Sequence, residues 1–597
     1  MNMKRAYREG AAVFGLLFIT VLIFNTLFFE PIRLPWDAYY HLSRIENLRQ
    51  SWIAFLYPQN FTSLGQYGLA TNIFYPSLTL QLIQNVILHV NSAILAFKIS
   101  MILTTWLSGL SVYIVLRKYS NFSRMIVFVI SILWLTTIGV TALSPGNLAE
   151  STAYIGIPWL VCGLYLGTRQ SNFNIRKSVT YIIFGLSIAA YSHVMTFLIL
   201  SILTAMYFIC LVILDDDKLR VIKIAVLGGI GTTISTLAVV LPIVIIQLSN
   251  NVTKPVVNND VFANNVKDIS MLLLNPSSNP DIWLLLFFIV IVTIVGLKKP
   301  TMGIILGLIV MLLGTNVFPW TYYLKNTPIA NIQFATRLIK PGIAVALMFS
   351  FFNLSISELT MHSRNKAEKG LIIFTVLVGL IMMGTIKNNW FPNHNSKEWS
   401  AQQIKKYTEY HDAQHDGYGY SMDMTFSNQI SNSTDFWYLK NYTDYIPESA
   451  LSHTDKMSTF IGSDSEGLLL TKHQIIDSDG KKFNTSDYHA SLKTVIMKNN
   501  TTISSKRIIE LPIVAYKKLH LEVKINGKVH ETFIKNGKIA LKLHDTLYKK
   551  SVISVEQKIP LWIVICNMIS LVSLLFLCIF PKKLFKLKYN NLQSFKV

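Results

Sequence analysis

The sequence has few cysteines, few acidic residues in its apolar runs and no glycine-rich phosphate loop, and each shortage excludes a class of protein. All four cysteines lie inside apolar runs: Cys162, Cys210, Cys566 and Cys578. Neither a disulfide framework nor a thiolate metal site is therefore expected. The near absence of Asp and Glu from those runs argues against an ion-driven transporter with a relay of membrane carboxylates. Without a glycine-rich loop, any bound phosphate has to be held by arginines and helix ends.

The chain has long apolar runs and little charge. Of its 597 residues, 51% are hydrophobic and only 14% are charged. This composition in long runs is typical of an integral membrane protein. The net charge of +22 is carried by Lys and Arg clusters in short segments between the runs, as the positive-inside rule predicts. The excess charge therefore indicates membrane orientation, and no nucleic-acid partner is expected.

The order of basic loops and apolar runs predicts the membrane topology. Lys4, Arg5 and Arg8 precede an apolar run at 11–29 that lacks a small-residue cleavage site. We therefore expect a retained first span with a cytoplasmic N-terminus. Continued along the chain, the alternation of basic and polar loops predicts about twelve crossings with both termini in the cytoplasm. One long crossing is expected at 221–248.

The run at 74–90 does not fit this alternation as a crossing. It contains Pro76 and three amide residues, and the basic loop at 117–124 needs only one crossing, at 92–116, to reach the cytoplasm. We therefore expect 74–90 to be a re-entrant segment or an external half-helix.

One sizeable polar part separates the last apolar run from the others. The sequence thus predicts a transmembrane domain at 1–386, an extracellular domain at 387–559, and a last span with a basic cytoplasmic tail at 560–597. In the second half of the extracellular domain apolar and polar residues alternate, and Asn526-Gly527 and Asn536-Gly537 mark hairpin turns. We therefore expect a polytopic α-helical chain with an antiparallel β domain, sandwich-like in its second half, outside the membrane.

The first polar stretch after the first apolar run carries three reactive groups on one predicted helix face. If a helix begins at Pro35, then Asp37, His41 and Arg44 lie at positions i, i+4 and i+7. An acid, an imidazole and a guanidinium would then point the same way just outside the membrane. The alternative is an interfacial helix whose charges are only solvated.

Other polar groups gather at the outer ends of the predicted spans. Arg337 opens a span on the outer side, against the positive-inside trend, which makes it a candidate for anion binding. Glu150 is a candidate second acid, with a solvated loop residue as the alternative. A lone His193 among apolar neighbours is more often a buried structural histidine than a site residue. Asn147, His193 and Gln333 are the candidate supporting residues, and a site assembled from such loops over helices is typical of enzymes.

One acidic and histidine-rich cluster has the composition of a metal site. It comprises His411, Asp412, His415 and Asp416. No further ligands follow at a fixed spacing, so the cluster is more simply interpreted as solvated surface.

The motifs, in their order along the chain, resemble those of a family of membrane enzymes. An acid in the first outer loop, here in Trp36-Asp-Ala-Tyr-Tyr-His-Leu-Ser-Arg44, resembles the GT-C superfamily of membrane glycosyltransferases. With four later motifs the likeness is closer to bacterial multi-span proteins labelled 6-pyruvoyl-tetrahydropterin-synthase-related and to the YfhO-like group, and it covers nearly the whole chain. Those motifs are Gly146-Asn-Leu-Ala-Glu150, Ser192-His193, Gln333-Phe-Ala-Thr-Arg337 and Asp444-Tyr-Ile-Pro447.

The resemblance implies transfer of a sugar from a polyprenyl-phosphate donor to an acceptor at the outer face of a bacterial cytoplasmic membrane. The implied acceptor is a cell-envelope glycan, lipid or polymer. By position, Asp37 would orient or deprotonate the acceptor hydroxyl or bind a divalent cation (Mg²⁺ or Mn²⁺), and His41 is a further catalytic candidate. Glu150 would be a second acid, on the acceptor or the metal. Arg44 and Arg337 would hold the donor phosphate as it becomes the leaving group.

Two other functions stay open. A lipid-linked glycan transporter would need polar residues along a continuous path through the spans, whereas the sequence places them near one face. A non-catalytic envelope-assembly or sensory protein would need only the outer β domain to bind a wall polymer.

Overall fold

The computed structural model has a helical part followed by a β domain and a last helix. It describes residues 3–24, 32–33, 36–120, 122–139, 147–168, 175–253, 286, 289, 301–320, 335–353, 369–380, 398–399, 425–426, 444–451 and 469–579. At residues 36, 37 and 39 it describes the backbone without the side chain.

Helices follow one another through the first part of the chain. They begin with α1 (Met3–Ile23), α2 (Trp36–Leu48), α3 (Leu78–Val86), α4 (Ala93–Tyr119), α5 (Arg124–Trp134), α6 (Leu148–Ala153), α7 (Ile157–Thr168) and α8 (Ile175–Ala190). They continue with α9 (Val194–Leu214), α10 (Lys218–Ser235), α11 (Leu237–Ser249), α12 (Met302–Leu313), α13 (Ile339–Asn353), α14 (Lys369–Leu380) and α15 (Leu561–Ile579). A π-turn at Leu135–Gly139 extends α5, and shorter helical turns lie at Ala54–Leu56, Leu64–Gln66, Thr71–Phe74, Ala335–Leu338, Glu448–Ala450 and Leu469–Lys472.

Several helices begin at a side chain that accepts a hydrogen bond from the first turn. Such a cap satisfies a backbone N–H that has no partner inside the helix. The caps of α4, α5, α6, α9 and α10 are Ser92, Ser123, Asn147, His193 and Asp217. Two of these caps, Asn147 and His193, are also candidate site residues, so the same side chains shape the scaffold and the site.

The helices have the lengths and composition of a membrane protein. Among the described residues, four segments are long and apolar enough to cross a membrane: Ala6–Ile23, Ala93–Tyr119, Val194–Leu214 and Ala335–Asn353. The pair α10 and α11 makes a fifth if both halves cross as one span, and α5 with its π-turn, α12, α14 and most of α15 are shorter apolar helices. The helical, membrane-compatible architecture is thus confirmed, whereas twelve crossings stay a prediction. The short α3 agrees with a half-helix at 74–90.

The long crossing predicted at 221–248 is broken in its middle. α10 and α11 meet at Thr236 with an angle of 66° between them. Ser570 of α15 fills the break, because its hydroxyl donates to the Ile234 carbonyl at 3.2 Å and accepts from the Ala238 amide at 3.0 Å. The backbone groups that the bend exposes are thus satisfied by the last helix, as a nonpolar environment requires.

Two helix pairs approach closely through glycines. α7 packs on α8 where Gly163 faces the backbone of Ile182, and an added Cβ would lie 2.7 Å from the Ile182 amide. α12 packs on α13 in the same way, with Gly307 and Gly342 facing each other. Close contact through small residues is typical of helices that pack without a hydrophobic driving force. The second contact fixes the start of α13, just after Arg337.

The part of the chain before α15 folds into a single sheet of nine antiparallel strands. The strands are β4 (Gln474–Asp477), β5 (Lys482–Ala490), β6 (Thr494–Asn499), β7 (Ile508–Val514), β8 (His520–Ile525), β9 (Lys528–His530), β10 (Thr532–Lys535), β11 (Lys538–Lys542) and β12 (Val552–Lys558). Their order in the sheet is β10-β11-β7-β4-β5-β6-β12-β8-β9. A separate small sheet joins β1 (Ile32–Arg33) to β3 (Thr425–Phe426) and β2 (Glu398–Trp399).

The two hairpins predicted from Asn-Gly pairs are confirmed. β8 and β9 pair antiparallel across Asn526 and Gly527, and β10 and β11 pair across Asn536 and Gly537. All four turn residues have positive φ, as type I′ turns require.

The expected sandwich is replaced by one continuous, curved sheet. β5 pairs with β4 through its first residues and with β6 through its later ones, and the register shifts between Ser486 and His489. Asp487 has a φ of 49° at this irregularity, which has the character of a bulge and lets the sheet curve. Side chains from both halves, such as Ile509 and Val523, therefore share one core.

The segment between α2 and α3, which is part of the predicted first outer loop, completes the core of this β domain. Phe61 is fully buried among the strand residues. The amide of Gln59 donates to the side-chain oxygen of Gln557 at 3.1 Å, and the Gln557 amide group donates back to the Gln59 carbonyl at 2.8 Å. The Val514 amide donates to the Tyr67 carbonyl at 2.8 Å. Loop and sheet thus fold as one unit, although Gln59 and Val514 are 455 residues apart in sequence.

We expect Phe61→Ala to release the first outer loop from the β domain. Removing a fully buried Phe side chain costs about 3–5 kcal/mol, and here the loss falls on the contact between loop and sheet. Amide hydrogen exchange should increase in 57–70 and in β7. The matched control is Phe533→Ala, which truncates a Phe that is 42% exposed on β10 and should leave exchange in these segments unchanged. Unchanged exchange in Phe61→Ala would contradict the shared core.

Candidate functional site

Helix α2 begins at Trp36, as predicted, and places two of its three candidate residues inside the protein. His41 is 2% exposed and Arg44 is 1% exposed. For these two residues the alternative of a solvated interfacial helix is therefore wrong. Asp37 is the second residue of the helix, and its side chain lies outside the part that the structure describes.

Arg44 binds the backbone segment directly before α3. Its Nη2 donates to the carbonyls of Tyr75 and Pro76 at 3.2 and 3.1 Å and to the Ser77 hydroxyl at 2.9 Å. The guanidinium also lies over the Tyr75 ring, 5.4 Å from its centroid. These contacts fix the chain at the start of α3. We therefore assign Arg44 a positioning role, which differs from the expected role in binding the donor phosphate.

His41 links Arg44 to the short helix α6. Arg44 Nη1 lies 3.2 Å from His41 Nδ1, and His41 Nε2 lies 3.1 Å from Oδ1 of Asn147. A guanidinium can only donate, so Nδ1 accepts and the proton of the neutral ring is on Nε2, which donates to Asn147. Both ring nitrogens of His41 are thus engaged, and the residue positions its neighbours in this tautomer.

Asn147 in turn connects α2 to the candidate acid Glu150. Its Oδ1 caps α6 by accepting from the Glu150 amide at 3.0 Å while it also accepts from His41. The Glu150 carboxylate accepts from the Tyr154 hydroxyl at 3.2 Å, one turn along the chain. Asn147 is buried and Glu150 is half-buried. The two candidates from this motif therefore belong to the same group of contacts as His41 and Arg44.

His193 caps α9 and lies near Arg337. Its Nδ1 accepts from the Thr196 amide at 3.4 Å and lies 2.8 Å from the Thr196 hydroxyl. Because Nδ1 accepts, the neutral ring carries its proton on Nε2, which makes no hydrogen bond within the described part of the chain. Arg337 is half-buried in the turn Ala335–Leu338. A neutral N–H donor and a guanidinium are both groups that suit a phosphate.

The surroundings keep both histidines neutral. Burial lowers the pKa of His41 well below its usual range, and the charges of Arg44 and His193 lower that pKa further, while the hydrogen bond to Asn147 opposes the shift. Burial lowers the pKa of His193 to about 3, and the charges of Arg337 and Arg44 add to the effect. Arg44 contacts His41 directly, and the charges of Arg337 and Arg44 act on His193, so residues from these separate segments interact electrostatically.

An aromatic cluster that the sequence analysis did not include lies against Arg44. The Tyr75 ring is centred 4.7 Å from the Tyr40 ring and 5.9 Å from the Tyr445 ring. Tyr445 also stacks on Phe74, with centroids 4.4 Å apart. Its φ of 66° is uncommon for a bulky residue, and such conformations concentrate at functional sites.

The signal for this cluster was present in the motif Asp444-Tyr-Ile-Pro447. The Tyr445 amide donates to the Thr253 carbonyl at 3.0 Å, and the Thr253 amide donates to the Ile446 carbonyl at 2.7 Å, so the strained residue is held from both sides. Asp444 lies close enough to Tyr40 and Tyr445 for its charge to raise the pKa of both hydroxyls, although burial is the larger cause. The motif therefore brings another acid to the site, which the order of motifs alone did not indicate.

A small, partly open cleft with a volume of about 40 Å³ lies beside the cluster. It lies between the first outer loop, the turn before α9, and the helices α11 and α15. Its lining mixes polar side chains, among them Ser77, Tyr191 and Asn567 of α15, with apolar ones such as Pro242 of α11 and Ile563 of α15. Through Ser77 and Tyr191 the cleft adjoins the segments that carry the arginines and histidines.

Some predicted site residues lie outside the described part of the chain. They are Gln333, the cluster at 411–416 and the side chain of Asp37. Among the residues that the structure does describe, no three His, Cys, Asp or Glu side chains group as ligands of a metal ion. Of the predicted metal pair, Glu150 is described, and its carboxylate contacts Tyr154. The divalent cation therefore stays a prediction, and no step below depends on it.

Comparison with known proteins adds no family assignment. No protein-family model matches the chain, and no curated protein matches it in sequence. The resemblance to membrane glycosyltransferases therefore rests on the quoted motifs, and function has to be inferred from the site.

We expect Asn147→Ala to be unusually destabilising for a cap substitution. Loss of a cap costs about 1 kcal/mol. The buried His41 N–H also loses its acceptor here, which adds about 1–3 kcal/mol. The thermal midpoint of the purified protein should fall further than in Ser123→Ala, which removes the cap of α5 alone. Equal shifts in the two variants would rule out the His41–Asn147 hydrogen bond.

We also expect the two buried histidines to make stability depend on pH. Their folded-state pKa values lie below the ordinary value of about 6.5, so unfolding takes up protons in acid. Stability is complete above about pH 6.5 and is lost as the pH falls below it, by up to about 1.4 kcal/mol per pH unit for each histidine. The fall in thermal midpoint between about pH 7.5 and pH 5 should be smaller in His193→Gln than in wild type.

The exposed His520 provides the control for this measurement. His520→Gln should lose stability in acid as the wild type does. The same acid dependence in His193→Gln would show that His193 is not held neutral.

Proposed function

We propose that the protein is a GT-C-type membrane glycosyltransferase. It transfers a sugar from a polyprenyl-phosphate donor to a glycan, lipid or polymer of the cell envelope, at the outer face of a bacterial cytoplasmic membrane. The observation that supports this most is that the charge of Arg337 acts on His193, whose Nε2–H is a hydrogen-bond donor, while the neighbouring Tyr191 lines a cleft with both polar and apolar side chains.

The anion site in this proposal is formed by Arg337 and His193. A guanidinium offers paired donors that match phosphate geometry. His193 contributes a neutral donor, because its low pKa keeps the ring uncharged at the pH of a cell surface. Arg44 is engaged with Tyr75, Pro76 and Ser77, so it holds the wall of the site in place.

In this proposal the hydrocarbon end of the donor enters at the cleft, which has to widen to admit a prenyl chain. The apolar side chains that line the cleft include Val239 and Pro242 of α11 and Ile563 of α15. On the same two helices Val244 is 41% exposed and Ile565 is 48% exposed, which is expected of side chains that face lipid. A prenyl chain would then pass from the bilayer into the cleft, with its phosphate directed toward the polar side chains of the site.

The reaction is a substitution at the anomeric carbon of the sugar. An acceptor hydroxyl oxygen forms the new bond, and the bond from this carbon to the phosphate oxygen breaks with its electron pair left on the phosphate. The hydroxyl proton passes to a carboxylate, for which Asp37 and Glu150 are the candidates. Because the leaving polyprenyl phosphate gains negative charge, Arg337 and His193 stabilise the transition state more than the bound donor.

The topology in this proposal is the one that the basic loops predict. About twelve crossings place both termini in the cytoplasm, and the β domain lies outside. The described helices supply four to five of these crossings by length and composition, and shorter apolar helices supply others. This orientation brings the Arg337 and His193 segments to the outer side, where polyprenyl-linked sugars are used.

We expect Arg337→Ala to abolish the envelope modification while the protein still inserts and accumulates. Loss of a donor that stabilises charge in the transition state typically lowers the rate by about 10²–10³-fold. Asp37→Asn should have a similar effect. The measurement is mass and linkage analysis of envelope glycans from cells that carry each variant. Arg8→Ala, at an exposed position near the start of α1, is the control and should leave the glycans unchanged.

Two outcomes would contradict the transferase. Normal glycans in both Arg337→Ala and Asp37→Asn would exclude chemistry at this site. If those variants were silent but deletion of 390–555 reproduced the loss of the whole protein, the protein would be a non-catalytic assembly or sensory factor.

A further inference from the structure

The β domain carries an excess of positive charge. Between residues 469 and 560 it contains 16 Lys and one Arg against eight Asp and Glu. The positive-inside rule explains Lys and Arg in short loops next to spans, but it does not explain a basic folded domain on the outer side. The distribution of this charge over the domain therefore carries information about a partner.

On the faces of the strands the lysines are paired with acids. Lys524 bridges Glu522 and Glu556 at 2.9 and 3.3 Å, and Lys558 contacts the same two carboxylates. Lys535 contacts the carboxylate of Glu510 in the same way, at 3.1 Å. These pairs leave little net charge on this part of the surface.

At one end of the domain the lysines lack such partners. We call this set the lysine crown: Lys506, Lys528, Lys542, Lys549 and Lys550. All five side chains are exposed, and none forms an ion pair with an acidic side chain within the described residues. The neighbouring Arg507 is neutralised by Asp477 and Asp479. Other lysines of the domain are also exposed and form no ion pair with a described acid: Lys472, Lys481, Lys482, Lys493, Lys517 and Lys518. The crown is thus one group among the unpaired lysines, and its position at one end of the domain distinguishes it.

The strand directions place the crown at the end of the domain that is far from the membrane. β12 ends at Lys558 and leads through Pro560 directly into α15, so its first residue, Val552, lies at the opposite end. Backbone hydrogen bonds join the loops of this end, from Asn526 to the Val552 carbonyl and from Lys550 to the Asn499 carbonyl. The Lys506 amide also donates to the Leu543 carbonyl at 2.8 Å, so the crown sits on loops and strand ends that are tied together.

We infer that the lysine crown binds a linear polyanion, a polymer with closely spaced phosphate or carboxylate groups. Lysines act as point charges without the planar fork of arginine, so they suit a repeating charge better than one oriented group. The binding is electrostatic and depends on salt, as for other polyanions held by several lysines. This inference takes from the proposed function only the outer position of the domain and does not depend on sugar transfer.

Distance favours a polymer over membrane lipid headgroups as the partner. β12 has seven residues, and at about 3.4 Å per residue they separate the crown from the membrane end by about 24 Å. At physiological salt the potential of a charged surface decays over about 8 Å. Lysines placed to attract anionic lipids would lie at the other end of the domain. A chain that extends outward from the envelope can reach the crown.

The test uses the full chain in nanodiscs of neutral phosphatidylcholine and a fluorescent long-chain inorganic polyphosphate. The crown variant replaces Lys506, Lys528, Lys542, Lys549 and Lys550 with Gln. The control variant replaces Lys517, Lys518, Lys524, Lys535 and Lys558 with Gln, and so lowers the net charge equally. We expect the crown variant to bind about tenfold or more weakly, with a salt slope shallower by about 3. The control should bind as the wild type does.

Several results would overturn the inference. Equal weakening in both variants would show that only net charge matters, and unchanged binding in the crown variant would place the site elsewhere. Crown-dependent capture of the nanodiscs by phosphatidylglycerol vesicles would identify a lipid partner. Competition by unlabelled polyphosphate or by polyglutamate supports the inference and shows which anionic group is preferred, whereas equal competition by inorganic monophosphate at matched charge would contradict a polymer.

Discussion

The guanidinium of Arg44 has to find acceptors inside the protein, and much of the site follows from how it does so. A charge at 1% exposure is tolerated only when its donors are engaged. Here backbone carbonyls, a hydroxyl and one ring nitrogen of His41 accept from it. Because that nitrogen must accept, the other nitrogen must donate, and Asn147 is the acceptor. One buried charge therefore sets the position of α2, the chain before α3 and the start of α6.

The β domain is connected to the Arg44 contacts through a series of packed residues. Phe61 from the first outer loop lies in its core, and the Tyr516 hydroxyl donates to the carbonyl of the strained Tyr445 at 3.0 Å. Tyr445 in turn contacts the ring of Tyr75, which lies beneath the Arg44 guanidinium. A continuous set of contacts thus joins the β domain to the buried arginine. The domain therefore supports the candidate site and also carries the lysine crown.

The features that the sequence predicts well are those with a local cause. The Asn526-Gly527 and Asn536-Gly537 turns and the helix at 36–48 need only neighbouring residues, and they occur where predicted. The position of Phe61 inside a sheet that forms more than 400 residues later has no local signal. The single curved sheet likewise depends on an irregularity at Asp487, which no composition rule indicates.

In the candidate site, too, some features could be predicted from the sequence and others depend on the fold. Glu150, His193 and Arg337 are polar residues at the ends of apolar runs. Such residues can be recognised from the sequence alone, so their types and order indicated which segments contribute to the candidate site. Their roles were not visible, because a role depends on partners. The role of Arg44 follows from the acceptors around it, and Asp444 was recognised as a neighbour of the site through its electrostatic effect on Tyr40.

Ser570 at the break between α10 and α11 has a consequence for how the protein is made. The amide of Ala238 that it satisfies is synthesised 332 residues earlier, which at cellular rates of translation is about 20–60 s. During that interval the bend would expose backbone groups to hydrocarbon, where each unsatisfied group costs several kcal/mol. The two halves are therefore expected to remain a straight helix, or to stay near the lipid–water boundary, until the C-terminal helix inserts. Biogenesis would then end with a rearrangement of a segment from the middle of the chain, and truncation before α15 would leave that segment in its immature form.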